Sequence, residues 1–188
     1  MGSDGHVSGV LAAVANRRSH SKVTEEAPTR VELLALLAAA ARAADHAALR
    51  PWRLIELRGE ARERLGDALV EASARTGEEA AKLRLKPLRA PLLVAVVACR
   101  RNDTSVQVWE QDAATAGVAH LLSLLLADAG WGVMWRTGAY TRSAAVRVAH
   151  GLADSEELLG WLYIGGVPAE CKVGNRAVLD PAEFLSAL

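Results

Sequence analysis

Leu92-Leu93-Val94-Ala95-Val96-Val97-Ala98 is an unbroken apolar run, with Pro91 just before it and Cys99 just after. A strand with one wet face alternates polar and apolar side chains. A continuous run of this kind instead predicts a strand buried on both faces. A sheet buried on both faces needs helices above and below it. The neighbouring segments supply them.

Towards the C-terminus, residues 106–129 read as the longest helix. Its middle, 113–127, is apolar nearly all round, which predicts a central helix wrapped by other elements. That stretch is too short for a membrane span and contains His120 and Ser123. Residues 132–135 read as a short strand, 143–150 as a short helix and 158–164 as a further apolar strand before Gly165-Gly166. Asp180-Pro181 has an N-cap and a proline at the first helical position, which predicts a last helical turn.

Towards the N-terminus, 59–76 reads as an amphipathic helix and 52–57 as a strand. Thr29-Arg30-Val31-Glu32 has the form of a capping box opening a helix to about residue 42. Between them, residues 45–52 form a connector, because Pro51 disfavours helix at the residue before it. Residues 7–15 are a short helix candidate. Loop packing around 76–86 has no legible pattern. Helices and strands mix without strict alternation, so the class is α+β with a sheet between helical layers. The 188 residues are read as one domain, 1–188, with 1–6 disordered and Met1-Gly2-Ser3 in part a cloning scar.

Composition excludes several functions. Acidic and basic residues are 22 each, so no net field attracts nucleic acid or an anionic membrane, and an anion must be captured locally. Aromatics are 4% of the chain, too few for a base-stacking platform. Cys99 and Cys171 make no disulfide framework, and Cys99 reads as a small buried hydrophobe. The first residues lack the pattern of a signal peptide, so the chain reads as cytoplasmic. There is no P-loop, no completed GxGxxG, no nucleophile elbow and no HExxH, and the five histidines are scattered, so no metal site is expected. Redox chemistry in such a chain requires a bound cofactor.

Three constellations carry chemistry. Arg17-Arg18-Ser19 places two guanidiniums and a hydroxyl at a helix-to-loop junction, where an anion could be held, although a solvated basic helix end has the same composition. Arg42, Asp45-His46 and Arg50-Pro51-Trp52 follow a helix end, where Arg and His are common in any case. Gly130-Trp131-Gly132 leads into Trp135-Arg136-Thr137-Gly138, a helix C-cap and core strand that again offers an arginine and a hydroxyl. Trp109-Glu110 reads as a rim tryptophan and a helix-start acid suited to the dipole.

In this order and spacing, from about residue 10 to 164, the constellations resemble the nitroreductase family, and within it a compact single-domain bacterial subgroup. The resemblance implies a three-layer αβα homodimer with a mostly antiparallel sheet and the long helix at the interface. It also implies two flavin mononucleotides (FMN), each touched by both subunits. Arg17, Arg18, Ser19, Trp135, Arg136 and Thr137 would hold FMN in one subunit, with Arg42 and His46 reaching the flavin of the other. Leu125, Leu126, Ala127, Asp128, Ala129 and Gly130 would lie at the NAD(P)H site. The implied activity is a two-step one: hydride from NAD(P)H to flavin, then reduction of a nitroaromatic, quinone or similar small acceptor. No side chain acts as a general acid. Ala44, Ala48 and Arg50 depart from the family's usual proline, asparagine and glutamine, which leaves open a flavin-sequestering protein with little turnover.

Overall fold

In the computed structural model, which describes residues 9–170 and 179–188, the apolar run is strand β2 (Leu92–Cys99), the better buried of the two central strands. It pairs antiparallel with β1 (Trp52–Leu57) on one side and β4 (Glu156–Gly166) on the other, and β4 pairs antiparallel with β3 (Trp131–Arg136). The strand order is β1-β2-β4-β3. Alternation along β2 explains its composition. Leu93, Ala95 and Val97 join one core with Leu65, Leu69, Leu83 and Val146, whereas Leu92, Val94 and Val96 join a second with Leu33, Val118, Leu122 and Leu126. The first core carries α3 (Glu60–Ser73), α4 (Gly77–Arg84) and α6 (Ala144–Ala149). The second carries α2 (Arg30–Ala40) and α5 (Val108–Asp128). This is the expected αβα layering, with every strand pair antiparallel.

Local chemistry sets the element ends. Thr29 and Glu32 form the capping box reciprocally, the Glu32 carboxylate accepting from Thr29 N at 2.7 Å. Ser143 caps α6 through Val146 N, and α3 stops at Ala74 in the left-handed region. Residues 76–86, illegible in sequence, contain α4, whose Glu78 and Glu79 lie in the first turn and Lys82 and Arg84 in the last. The turn at Asp180 is a 3-10 turn, Pro181–Phe184, rather than an α-helix. The expected start of the first helix at residue 7, the expected disorder of residues 1–6 and Cys171 lie outside the described residues.

Two expectations are corrected. The helix 113–127 is not wrapped on all sides within the chain. Ala113 and His120 are exposed, and Ala116, Gly117, Leu121, Leu124 and Leu125 are only half-buried along one face. The hydrophobicity is real, but among the described residues its outer stripe is only partly covered. Cys99 is half-buried rather than buried, and its thiol donates to Glu156 at 3.4 Å. Burial and the adjacent carboxylate push that thiol up to about 11. Glu156 also accepts two bonds from Arg53, at 2.6 and 2.8 Å, and these hold its carboxyl down to about 2.

Candidate functional site

The chain leaving α1 (Gly9–Asn16) passes Arg17 and Arg18 and then crosses the sheet. His20 N donates to Val133 O at 2.9 Å, along the edge of β3 that β4 does not occupy. Thr24 N donates to Gly166 O at 2.8 Å and Gly166 N to Glu26 O at 2.9 Å. The segment lies so close that a Cβ at Gly165 would sit 2.7 Å from Thr24 O. That contact is why the apolar strand ends in two glycines.

This crossing places the N-terminal arginines beside the end of α5. Arg17, Arg18 and His20 line a cavity of about 440 Å³ with Ala127, Asp128, Gly130 and Trp131. The C-terminus of a helix is its negative end, and Asp128 adds to that charge. An anion enters there only with the arginines present. Arg18 Nη1 is buried and has no hydrogen-bond partner among the described residues, and the same holds for His20 Nδ1.

At the far end of β3, Trp135 and Arg136 point to opposite faces, as strand geometry requires. Trp135 packs towards α5, its ring 4.9 Å from that of His120 and at 72° to it. Arg136 turns to the other face and lays its guanidinium over Tyr163, 5.1 Å from the ring centroid. A cavity of about 380 Å³ opens there between Trp161, Tyr163, Tyr140, Leu69 and Thr137, with Lys86 and Arg89 beside Arg136. A further cavity joins Arg136 and Arg89 to Lys22. Among the described residues, no carboxylate lines either cavity. Arg136 Nε and Trp135 Nε1 are buried without a partner among the described residues. Burial pushes the Tyr163 hydroxyl up to about 12, against the pull of Arg136 and Arg89, so it stays protonated.

The third constellation lies elsewhere. The connector 45–50 packs against the start of α5, where His46 Nδ1 is 2.9 Å from Glu110 Oε1. Three of its residues adopt left-handed backbone without being glycine: Ala47 (φ 59°), Ala48 (φ 51°) and Arg50 (φ 49°). Asp45 holds the turn, its carboxylate accepting from Arg50 N at 2.6 Å. Glu110 and Asp128 are eighteen residues apart on one helix, about 27 Å along its axis at 1.5 Å per residue. The structure therefore brings Arg17 and Arg18 to the end of α5 and Arg136 and Thr137 to the end of β3, but leaves His46 at the other end of α5, with Arg42 exposed just after α2. Ser19 and Thr137 are exposed.

Of the stretch 125–130, Leu126 is fully buried in the core, while Ala127, Asp128 and Gly130 reach the cavity beside Arg17. Sequence reasoning missed Lys22, Lys86 and Arg89, which come together only through folding and carry no spacing signal. It also missed that Glu110 pairs with His46. The expected rim tryptophan is there: Trp109 is 70% exposed.

The αβα fold thus has, at the two ends of edge strand β3, one buried nitrogen each of Arg18 and Arg136 with no hydrogen-bond partner among the described residues. The Nitroreductase family profile matches residues 14–166. The provisionally named NAD(P)H nitroreductase YdjA of Escherichia coli K12 is 34% identical over 179 residues, covering 94% of this chain and 97% of its own. A provisionally named NAD(P)H nitroreductase of Haemophilus influenzae is 28% identical over 187 residues, covering 95% and 98%. Among solved structures, a nitroreductase-like protein of Bacillus cereus superposes with a TM-score of 0.82 at 25% identity, covering 100% of this chain and 98% of that one. A nitroreductase with bound FMN from Bacteroides fragilis gives 0.75 at 19% identity, covering 96% and 98%. The chain belongs to the nitroreductase family, and it is an oxidoreductase of that family.

Proposed function

We propose that the protein binds FMN along β3 and passes electrons from NAD(P)H to a small organic acceptor. The observation that carries this reading is the pair of buried guanidinium nitrogens without partners among the described residues, on Arg18 and Arg136. A buried donor left without an acceptor is costly, so each calls for an anionic or polar ligand. FMN has the matching chemistry: a phosphate dianion at one end and, on reduction, negative charge on its ring at the other. Bound there, it supplies the centre that accepts and donates hydride. The chain's own residues hold the charges: Arg17, Arg18 and Ser19 at one end, Arg136 and Thr137 at the other. The names of the relatives support NAD(P)H as donor and a nitro compound as acceptor; in this reading 125–130 is the NAD(P)H site and a quinone is an equivalent acceptor. Arg136, Lys86, Arg89 and Lys22 surround a pocket, lined by no carboxylate among the described residues, whose field stabilises a reduced, anionic centre.

The working unit in this reading is a homodimer. α1 buries none of its residues, and Val10, Leu11 and Val14 are 70%, 62% and 52% exposed. These side chains and the stripe of α5 that the described residues leave partly open are apolar surfaces that water disfavours. A two-fold axis perpendicular to α5 there sets the two α5 helices antiparallel. The start of one, with His46, then meets the end of the other, with Arg17 and Arg18. That arrangement joins the constellations that one chain holds apart.

The test is a visible spectrum of the protein with added FMN, followed anaerobically by NADPH and then NADH. The expected result is a bound-flavin spectrum that bleaches promptly. Bound flavin that does not bleach identifies a sequestering protein, and no bound flavin overturns the site.

A further inference from the structure

We propose that Glu110 is a positioning residue for the cofactor site, fixing the orientation of His46 towards the flavin held by the second subunit. The inference rests on the FMN reading above and adds to it a residue whose role is to aim another.

His46 lies near the start of the connector 45–52. Its side chain is 59% exposed, and Ala47, Ala48 and Arg50 sit in left-handed backbone that alanine and arginine rarely adopt. Such strain persists only where surrounding contacts determine it. Those contacts are visible. The Asp45 carboxylate accepts from Arg50 N, Thr115 Oγ1 donates to Pro51 O at 2.9 Å, and Cys99 N donates to Pro51 O at 2.8 Å. They fix the backbone but leave the imidazole free to rotate. Glu110 removes that freedom.

The carboxylate divides its two oxygens. Oε2 accepts from Gln107 N at 2.9 Å, closing the capping box of α5, and Oε1 takes His46 Nδ1 at 2.9 Å. The backbone bond to Gln107 and the bond to His46 both hold the Glu110 carboxyl below its ordinary range, so it is ionised and acts as the acceptor. Nδ1 therefore carries the proton that Glu110 receives, and Nε2 is the nitrogen presented outward. An exposed pair of this kind adds little to stability. Its consequence is geometric: one ring nitrogen is selected and its direction fixed before a second subunit arrives.

The experiment is a double-mutant cycle on FMN affinity, read by quenching of flavin fluorescence, with the flavin midpoint potential measured alongside. Glu110→Gln and His46→Ala should each weaken FMN binding several-fold and shift the potential in the same direction. Glu110→Gln in the His46→Ala background should add nothing to either. If Glu110 serves only to cap α5, its effect persists undiminished in that background, the potential does not move, and the inference is overturned. Glu110→Asp keeps the charge and separates the two roles in a folded protein, with helix content monitored by circular dichroism. Restored potential supports positioning, and a potential like that of Glu110→Gln counts against it. Wild-type protein that binds no FMN would overturn the parent reading. Normal FMN binding with additive mutants overturns this inference alone.

Discussion

Arg136 and Arg18 each combine a buried nitrogen that has no partner among the described residues with a place beside a cavity. Structural arginines in this chain look different: Arg53 and Arg100 are both paired to carboxylates. A hydrogen bond to a charged group is worth about 1.5–3 kcal/mol, so Arg18→Ala with Arg136→Ala should weaken FMN binding by roughly two to four orders of magnitude. Thermal unfolding of the apoprotein should be unchanged or slightly improved, because two unsatisfied groups are gone. Near wild-type affinity in a flavin titration would sink the assignment. His150 shows the opposite case, a histidine that the fold has satisfied. Its Nδ1 donates to Val146 O at 2.8 Å, and its Nε2 accepts from Trp161 Nε1 at 3.0 Å. Both nitrogens are used only in the neutral ring, and burial lowers its pKa below 6.5. The unfolded chain binds the proton first as pH falls, so this contribution is whole above about 6.5 and is lost below it. Urea midpoints at pH 7.5 and 5.5 should therefore differ more for wild type than for His150→Gln. Equal drops in the two would show that this ring does not titrate in the fold.

Gly160 shows how an element carries the site. β4 has a register irregularity opposite Val96 and Val97, and Gly160 sits there at φ +141°, a conformation open to glycine. A Cβ would lie 2.4 Å from Arg136 O and 2.7 Å from Trp135 Nε1. The end of β3 is thus seated directly on the glycine. Gly160→Ala should cost about 2–4 kcal/mol in denaturant unfolding, from backbone strain and overpacking together. It should also weaken FMN binding, because residues 135–137 must move. A stable variant with intact affinity would show that β3 can be seated elsewhere. Nothing in the sequence pointed to Gly160, whereas the core strand was plain in it. Residues 92–98 announce burial on both faces because each side chain meets a helix. The capping box at Thr29 and Glu32 is equally local and equally legible. The bulge is set by where two distant strands meet, and so are the cations at 22, 86, 89 and 136. α4 escaped because its eight residues have a short polar sequence whose only anchor is Leu83 in the core. Arg17 and Arg136 were legible as residue types in a familiar order. Their placement at the two ends of one edge strand was not.

At the scale of the molecule, the question is why α5 is apolar on a side that is only partly covered. Its inner face explains Val118, Leu122 and Leu126, but Ala113, Ala116 and Leu124 are left partly open by the described residues. Small residues at 113 and 116 allow a second helix to approach closely, as the proposed antiparallel dimer requires. Leu124 is the position to change, because it belongs to neither core and its loss leaves the single chain's packing intact. Wild-type protein should sediment at twice 19.9 kDa. Leu124→Glu puts a charge in the proposed interface, where an unpaired buried ion costs several kcal/mol, and should sediment as a monomer with unchanged circular dichroism. If each site is shared, that monomer also loses FMN affinity, although no residue near the cofactor has changed. Raising the protein concentration should restore dimer and flavin binding together, with one midpoint. A folded monomer that binds FMN as tightly as wild type would mean that β3 and residues 17–19 suffice, and that Arg42 and His46 serve only their own chain.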